Sequence, residues 1–282
     1  MKKLSLLSVS FLAALALLVS SSVVHAQSWY NLDWEYRKAI IIDADKVTGN
    51  LTDFPLLVNI TDSDLLANAL PSGGDILFTS NDGTTKLDHE IESYDDGSGS
   101  LVSWVRIPNL SSTVNTVIYL YYGNPAASPQ ENPMAVWDND FVMVQHLEET
   151  SGSQNDSTTN GNDGSASVTT QGSATGQVNG SDEFDGVDDN VNCGNDSSLD
   201  ITGSMTVEAW AFSDGGTTGP VRILSKDMTG TPGKFILWKN SSGDLAFIVA
   251  DNAVGPDPWY RAQGNPVADG TWFHVVGVFD AD

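Results

Sequence analysis

The sequence predicts an all-β fold built as two β-sandwich domains, and three observations carry that expectation. Apolar residues recur with a period of two, the runs are short and end in Gly, Asn, Asp or Pro, and a helical period shows in one place only. Short strands with such turns and almost no helix point to sandwiches. The length suits two domains of ordinary size. Pro125, Pro129 and Pro133 punctuate the stretch before Trp137, which places the boundary there: a first module over 27–137 and a second over 138–282.

The elements follow in chain order. Met1, Lys2 and Lys3 form a positive start, Leu4 to Val24 an apolar run, and Val24-His25-Ala26 a small-residue cleavage site, so residues 1–26 read as a secretory signal peptide. Leu56, Val58 and Ile60 alternate, as do Leu101, Ser103, Val105 and Ile107, with Val102, Trp104 and Arg106 on the opposite face. Between them Asp62 caps a short helix through Leu65, Leu66, Ala69 and Leu70, stopped by Pro71. Val117 to Tyr122 is apolar on both faces and ends at Gly123-Asn124-Pro125, as a central strand would. Residues 150–182 are almost wholly polar and small, which by composition alone reads as a linker. Further strands are expected at Met205 to Phe212, Phe235 to Trp238, Leu245 to Val249 and Phe273 to Phe279.

Charge narrows the function classes. The chain holds 37 Asp and Glu against 12 Lys and Arg, a formal net charge of -25. Removal of the leader takes away Lys2 and Lys3 and no acid, leaving 37 acids against 10 bases and a net charge of -27. A nucleic-acid ligand needs a basic stripe, and the cations here are scattered. The single cysteine, Cys193, excludes a disulfide framework or a thiolate zinc cluster within the chain and reads as a small buried hydrophobe. His89, His146 and His274 form no His-x-x-x-His pair, and His274, between Phe273 and Val275, reads as a sheet residue. No second apolar span follows the leader.

Two resemblances add to this. Phe141 to Gly152, Asp156 to Gly164, Glu183-Phe-Asp-Gly-Val-Asp-Asp-Asn-Val191, Met205-Thr-Val-Glu-Ala-Trp210 and Gly270-Thr-Trp-Phe-His-Val-Val276 stand in an order that resembles the laminin-G-like, concanavalin A-like jelly roll of secreted bacterial proteins. The resemblance implies that residues 150–182 are loops and short edge strands of that domain. That family continues with further strands after Asp280, so the resemblance also implies a C-terminally incomplete jelly roll. Tyr36-Arg-Lys38, Asp53-Phe-Pro-Leu-Leu-Val58, Gly74-Asp-Ile-Leu-Phe78, His89-Glu-Ile-Glu92, Trp104-Val-Arg-Ile-Pro108 and Tyr119-Leu-Tyr-Tyr-Gly-Asn124 resemble an uncharacterised module of bacterial and archaeal envelope proteins. It often directly precedes a laminin-G-like domain, and it implies no chemistry.

Several residues are candidates for function. Asp88, Glu90 and Glu92 alternate in a manner that resembles the carboxylates of concanavalin A-like glycosidases, but the order is Asp-x-Glu-x-Glu and it lies in the first module. Asp182, Glu183 and Asp185 approach the same pattern, with Val187 where the third carboxylate would stand. A retaining pair stands about 5–5.5 Å apart and neighbours two apart on a strand start near ~6.6 Å, a difference that does not decide the matter. The departures in order and position set the expectation of a fragment without a catalytic site, with room for a catalytic domain beyond residue 282. Calcium is the cofactor considered, because acidic loops offer hard oxygen ligands: Asp156, Asn160, Asn162 and Asp163 lie close in sequence, and Asp227 falls on a loop that binds calcium in the related pentraxins. For ligand binding, the loop Pro256-Asp-Pro-Trp-Tyr-Arg261 offers Trp259 as a stacking face with Tyr260 and Arg261 as polar contacts. The reading is a secreted or cell-surface protein that recognises a glycan or a surface protein, with neither nucleic acid nor a mature membrane span. An accessory region of an extracellular glycan-degrading enzyme and an envelope spacer remain as alternatives.

Overall fold

The computed structural model describes residues 28–215, 219–226, 234–250 and 259–281. The chain divides into two compact units between Phe141 and Val142. The expected boundary at Trp137 falls four residues earlier. The Trp137 and Phe141 rings meet edge to face at 5.2 Å, which keeps residues 138–141 with the first unit.

The first unit is a sandwich of two antiparallel sheets. One holds β1 (Tyr36–Ile42), β7 (Thr116–Tyr122), β3 (Leu77–Thr79) and β4 (Lys86–Leu87) in that order; the other holds β2 (Leu51–Thr61), β6 (Ser100–Leu110) and β5 (His89–Asp95). Alternate residues of both sheets fill the space between them: Phe78, Ile118 and Leu120 from one, Val58, Leu101, Val105 and Ile107 from the other. β7 has a strand on either side and both faces covered, which is why it is apolar throughout. On its outer face Tyr119 and Tyr121 join Leu77 and Trp34 in a second apolar cluster, with Trp29 and Tyr30 packed against it.

Among the described residues the one α-helix, α1, spans Ser63–Asn68. The Asp62 carboxylate accepts from the backbone N–H of Asp64 and Leu65, and Lys38 pairs with both Asp62 and Asp64. It closes at Ala69, before the expected Leu70. Among the described residues no helix is long and apolar enough to cross a membrane.

The second unit opens with short strands: β8 (Ser153–Gln154), β9 (Gly164–Ser167), β10 (Thr170–Thr175), β11 (Gly180–Glu183) and β12 (Asn190–Asn192). The polar stretch 150–182 is thus pinned into sheets, β10 with β11 and β12-β9-β8. A four-stranded sheet follows in the order β14 (Val221–Ser225), β15 (Phe235–Lys239), β16 (Asp244–Ala250) and β17 (Trp259–Pro266). Facing it is a two-stranded ribbon of β13 (Met205–Ser213) and β18 (Thr271–Phe279). Met205, Val207 and Val275 from the ribbon meet Leu237, Phe247 and Val249 from the sheet in one core. The two layers come closest at Gly277, where a Cβ would lie 2.4 Å from the Phe247 ring.

Candidate functional site

The ribbon carries the most distinctive surface of the molecule. β13 and β18 pair antiparallel over all nine residues, from Met205 opposite Phe279 to Ser213 opposite Thr271. Successive side chains on a strand point to opposite faces. With Met205, Val207 and Val275 in the core, the outward face takes Thr206, Glu208, Trp210 and Phe212 from β13, and Trp272, His274, Val276 and Val278 from β18.

Register turns this face into rows. Trp210 stands opposite His274, with ring centroids 5.0 Å apart and planes 33° apart. On the next rung of the same face Phe212 stands opposite Trp272 at 5.7 Å. Trp210 and Phe212 are 48% and 49% exposed, so their faces are offered to solvent. Glu208 Oε2 lies 3.3 Å from His274 Nε2, which places a carboxylate and an imidazole at the end of the aromatic strip. Flat apolar faces flanked by a few hydrogen-bonding groups suit a ligand with C–H faces and hydroxyl edges.

The predicted ligand loop is arranged differently. Residues 256–258 lie outside the described residues, and Trp259 onward is not loop but β17, with Trp259 opposite Ala250, Tyr260 opposite Val249 and Arg261 opposite Ile248. As neighbours on a strand, Tyr260 and Arg261 leave it on opposite faces. The Tyr260 ring meets Phe279 at 5.6 Å, while the Arg261 guanidinium lies over Trp238 at 5.7 Å. They do not converge on one ligand.

Family comparison locates these features. Residues 72–162 match a domain of unknown function (DUF2341). Residues 184–282 match the concanavalin A-like lectin/glucanases superfamily. This latter stretch is a concanavalin A-like jelly-roll domain. No curated protein and no solved structure matches the chain. Both strands of the aromatic ribbon lie within the concanavalin A-like domain, as does β17.

The predicted metal loop lies in the second unit ahead of the residues matched to that superfamily, and its Asp156 carboxylate is engaged. Asp156 is buried; its Oδ1 accepts from the N–H groups of Val144 and Thr158, and its Oδ2 from Thr158 Oγ1 and Asn162 N. Four hydrogen bonds use all the lone pairs a carboxylate presents, which leaves none directed at a cation. Asp163 Oδ1 accepts from Asp156 N, and the Nδ2 groups of Asn160 and Asn162 donate to the Val142 carbonyl. These four residues are a turn-closing cage. Asp227 lies outside the described residues. Among the described residues the carboxylates that converge are Asp185, Asp188 and Asp189, at the start of the stretch matched to that superfamily, with ligand atoms all within 4.8 Å of one another.

The glycosidase-like carboxylates are also held in structural bonds. Asp88 precedes β5 and accepts from Asn132 Nδ2 at 2.8 Å. Glu90 and Glu92 are buried; Glu90 Oε2 accepts from Trp137 Nε1 at 3.0 Å and Glu92 Oε2 from Trp104 Nε1 at 2.8 Å, with a register shift between Ile91 and Ser93. Asp182 accepts from Gln154 Nε2 and Gly172 N, and burial pushes its pKa up against those bonds. Glu183 accepts from Thr170 Oγ1. Cys193 is half-buried, and burial, then the charges of Asp156 and Asp163, push its thiol pKa up, which disfavours the reactive thiolate.

The ribbon face went unrecognised in the sequence, where Met205 to Phe212 and Phe273 to Phe279 read as strands and His274 as a sheet residue. The available signal was an aromatic ring at alternate positions of each strand: 210 and 212, then 272 and 274. Only the pairing register converts two such alternations into facing rows.

Proposed function

We propose that this is a secreted, non-catalytic binding protein whose concanavalin A-like domain holds a carbohydrate chain on the outward face of β13 and β18. The observation that carries the reading is the outward row of Trp210, Phe212, Trp272 and His274, of which all but the half-buried Trp272 are exposed, edged by Glu208, within a superfamily described by its lectins and glucanases. Sugar rings stack their C–H faces on such side chains, and Glu208 supplies an acceptor and His274 a ring nitrogen for hydroxyl groups. The basic, apolar and small-residue leader over 1–26 supports export to the cell surface or beyond. Calcium, within this reading, goes to the turn of Asp185, Asp188 and Asp189, where Asp185 and Asp188 are exposed and Asp189 is half-buried with its Oδ2 accepting from Thr169 and from Asp185 N.

A glycan array probed with the wild-type chain and with Trp210→Ala tests the assignment. Loss of one stacking ring should weaken binding by roughly 2- to 12-fold, the equivalent of about 0.5–1.5 kcal/mol. The melting temperature should stay close to that of the wild type, because the ring is half exposed. Undiminished binding by Trp210→Ala would move the site elsewhere. Release of new reducing ends from a bound glycan would replace the lectin reading by the glucanase one.

A further inference from the structure

We infer that the carbohydrate held on the β13–β18 face is an amino-sugar polymer bearing protonated amines. This rests on the proposal that the face binds carbohydrate and names the chemical class. The outward face contains one carboxylate, Glu208, which His274 Nε2 approaches at 3.3 Å, and neither Lys nor Arg. Glu208 is more than half exposed at its side chain, and it sits one rung from the exposed indole of Trp210 on the same face. An ammonium group seated against that indole gains a cation–π contact and has a carboxylate within a side chain's reach.

The cations that would hold a uronate or a sulfate lie off this face: Arg222 stands opposite Trp238 on the four-stranded sheet, and Lys234 immediately precedes β15. Lys226 pairs with Asp200, Lys239 pairs with Asp269 at 2.9 Å, and Arg261 lies over Trp238 on the four-stranded sheet. Residues 142–282 hold twenty acids against five bases. The field of such a unit repels polyanions and raises the local concentration of a polycation, so the long-range and the local charge select the same ligand.

The test uses three soluble ligands with one backbone: a β-1,4-linked glucosamine hexamer, its fully N-acetylated form and the matching glucose hexamer. Calorimetric titration of the full chain near pH 6 in about 0.05 M NaCl should show the glucosamine hexamer binding roughly fivefold or more tightly than the other two. That advantage should collapse in about 0.5 M NaCl and shrink about threefold in Glu208→Gln. Trp210→Ala keeps the charge, and it should weaken the glucosamine hexamer by roughly tenfold.

The outcomes separate the two levels of the argument. Equal or tighter binding of the acetylated or glucose hexamer overturns the amino-sugar assignment and leaves the lectin reading standing. Unchanged glucosamine binding in Trp210→Ala shows adsorption by net charge alone and also overturns it. Binding of no hexamer, with a dimer in sedimentation that Trp210→Ala dissociates, makes a second copy of the chain the occupant and overturns both.

Discussion

His89 and Asp75 show how single residues of the first unit's motifs act. Asp75, fully buried, accepts from the backbone N–H of Leu70, Gly123 and Asn124, while its own carbonyl accepts from Trp34 Nε1 at 2.6 Å. It thereby ties the Gly-Asp-Ile-Leu-Phe segment to Tyr-Gly-Asn. His89, also fully buried, stands against Phe78, with Nε2 3.2 Å from the Ile76 carbonyl. Burial drives its pKa down to about 4, against the two carbonyls that favour the cation. The folded pKa is below the unfolded value near 6.5, so the unfolded state binds more protons between them. Stability from this residue is complete above about pH 6.5 and is lost as pH falls towards 4, by about 3 kcal/mol. Urea titrations of wild type and His89→Gln at several pH values should therefore converge as the medium is acidified; parallel pH dependences would refute the account. Asp156 yields a second residue-scale prediction. Asp156→Asn replaces a four-bond acceptor and should cost about 1–3 kcal/mol, equally with calcium and with chelator. Calcium should instead raise the melting temperature of the wild type and leave Asp188→Asn unmoved. A calcium-dependent penalty for Asp156→Asn would restore the 156–163 loop as the cation site.

At the scale of elements, the ribbon of β13 and β18 divides its labour by face. Its inward residues anchor the core, and its outward residues Trp210, Phe212, Val276 and Val278 face solvent. Gly277 marks the anchored side. A methyl group there would meet the Phe247 ring at 2.4 Å, so Gly277→Ala should destabilise the second unit by about 1–3 kcal/mol through overpacking. Thermal melts of Gly277→Ala and Trp210→Ala should differ in that sense, the glycine variant lower. Equal melting temperatures would mean that the layers can separate at no cost and that the ribbon is not anchored there. Periodicity made these elements legible: β7 as a central strand, Asp62 as a cap, and β13, β15, β16 and β18 as strands. β17 was missed because Pro256, Pro258 and Gly264 break the pattern near a strand whose pairing with β16 is decided by tertiary contacts.

The whole molecule carries 25 more negative than positive formal charges, and this self-repulsion acts on both units. Exposed acids further apart than a Debye length are screened, and that length falls from about 8 Å at physiological ionic strength to about 3 Å in molar salt. The melting temperature should therefore rise by several degrees between about 0.05 and about 1 M NaCl, as scanning calorimetry would show. A flat or falling response would indicate that the ion pairs of Lys38, Lys226 and Lys239 outweigh the general repulsion. The division after Phe141 belongs to this scale as well. Trp137 closes a proline-punctuated stretch in the sequence, but the ring it holds at 5.2 Å carries the first unit four residues further.

Local chemistry that repeats along the chain was determined by the sequence alone. Alternation of side chains makes strands, turn residues end them, a carboxylate caps a helix, and ordered motifs assign both modules. Each of these depends on neighbours within a few residues. Which alternating faces meet depends on partners as far apart as Tyr36 and Tyr122, and which oxygens of Asp156, Glu90 or Glu92 are already engaged depends on partners up to 47 positions away, as with Trp137 and Glu90. The aromatic row of Trp210, His274, Phe212 and Trp272 joins strands some sixty residues apart, and a slip of one residue in their register would have turned it into the core.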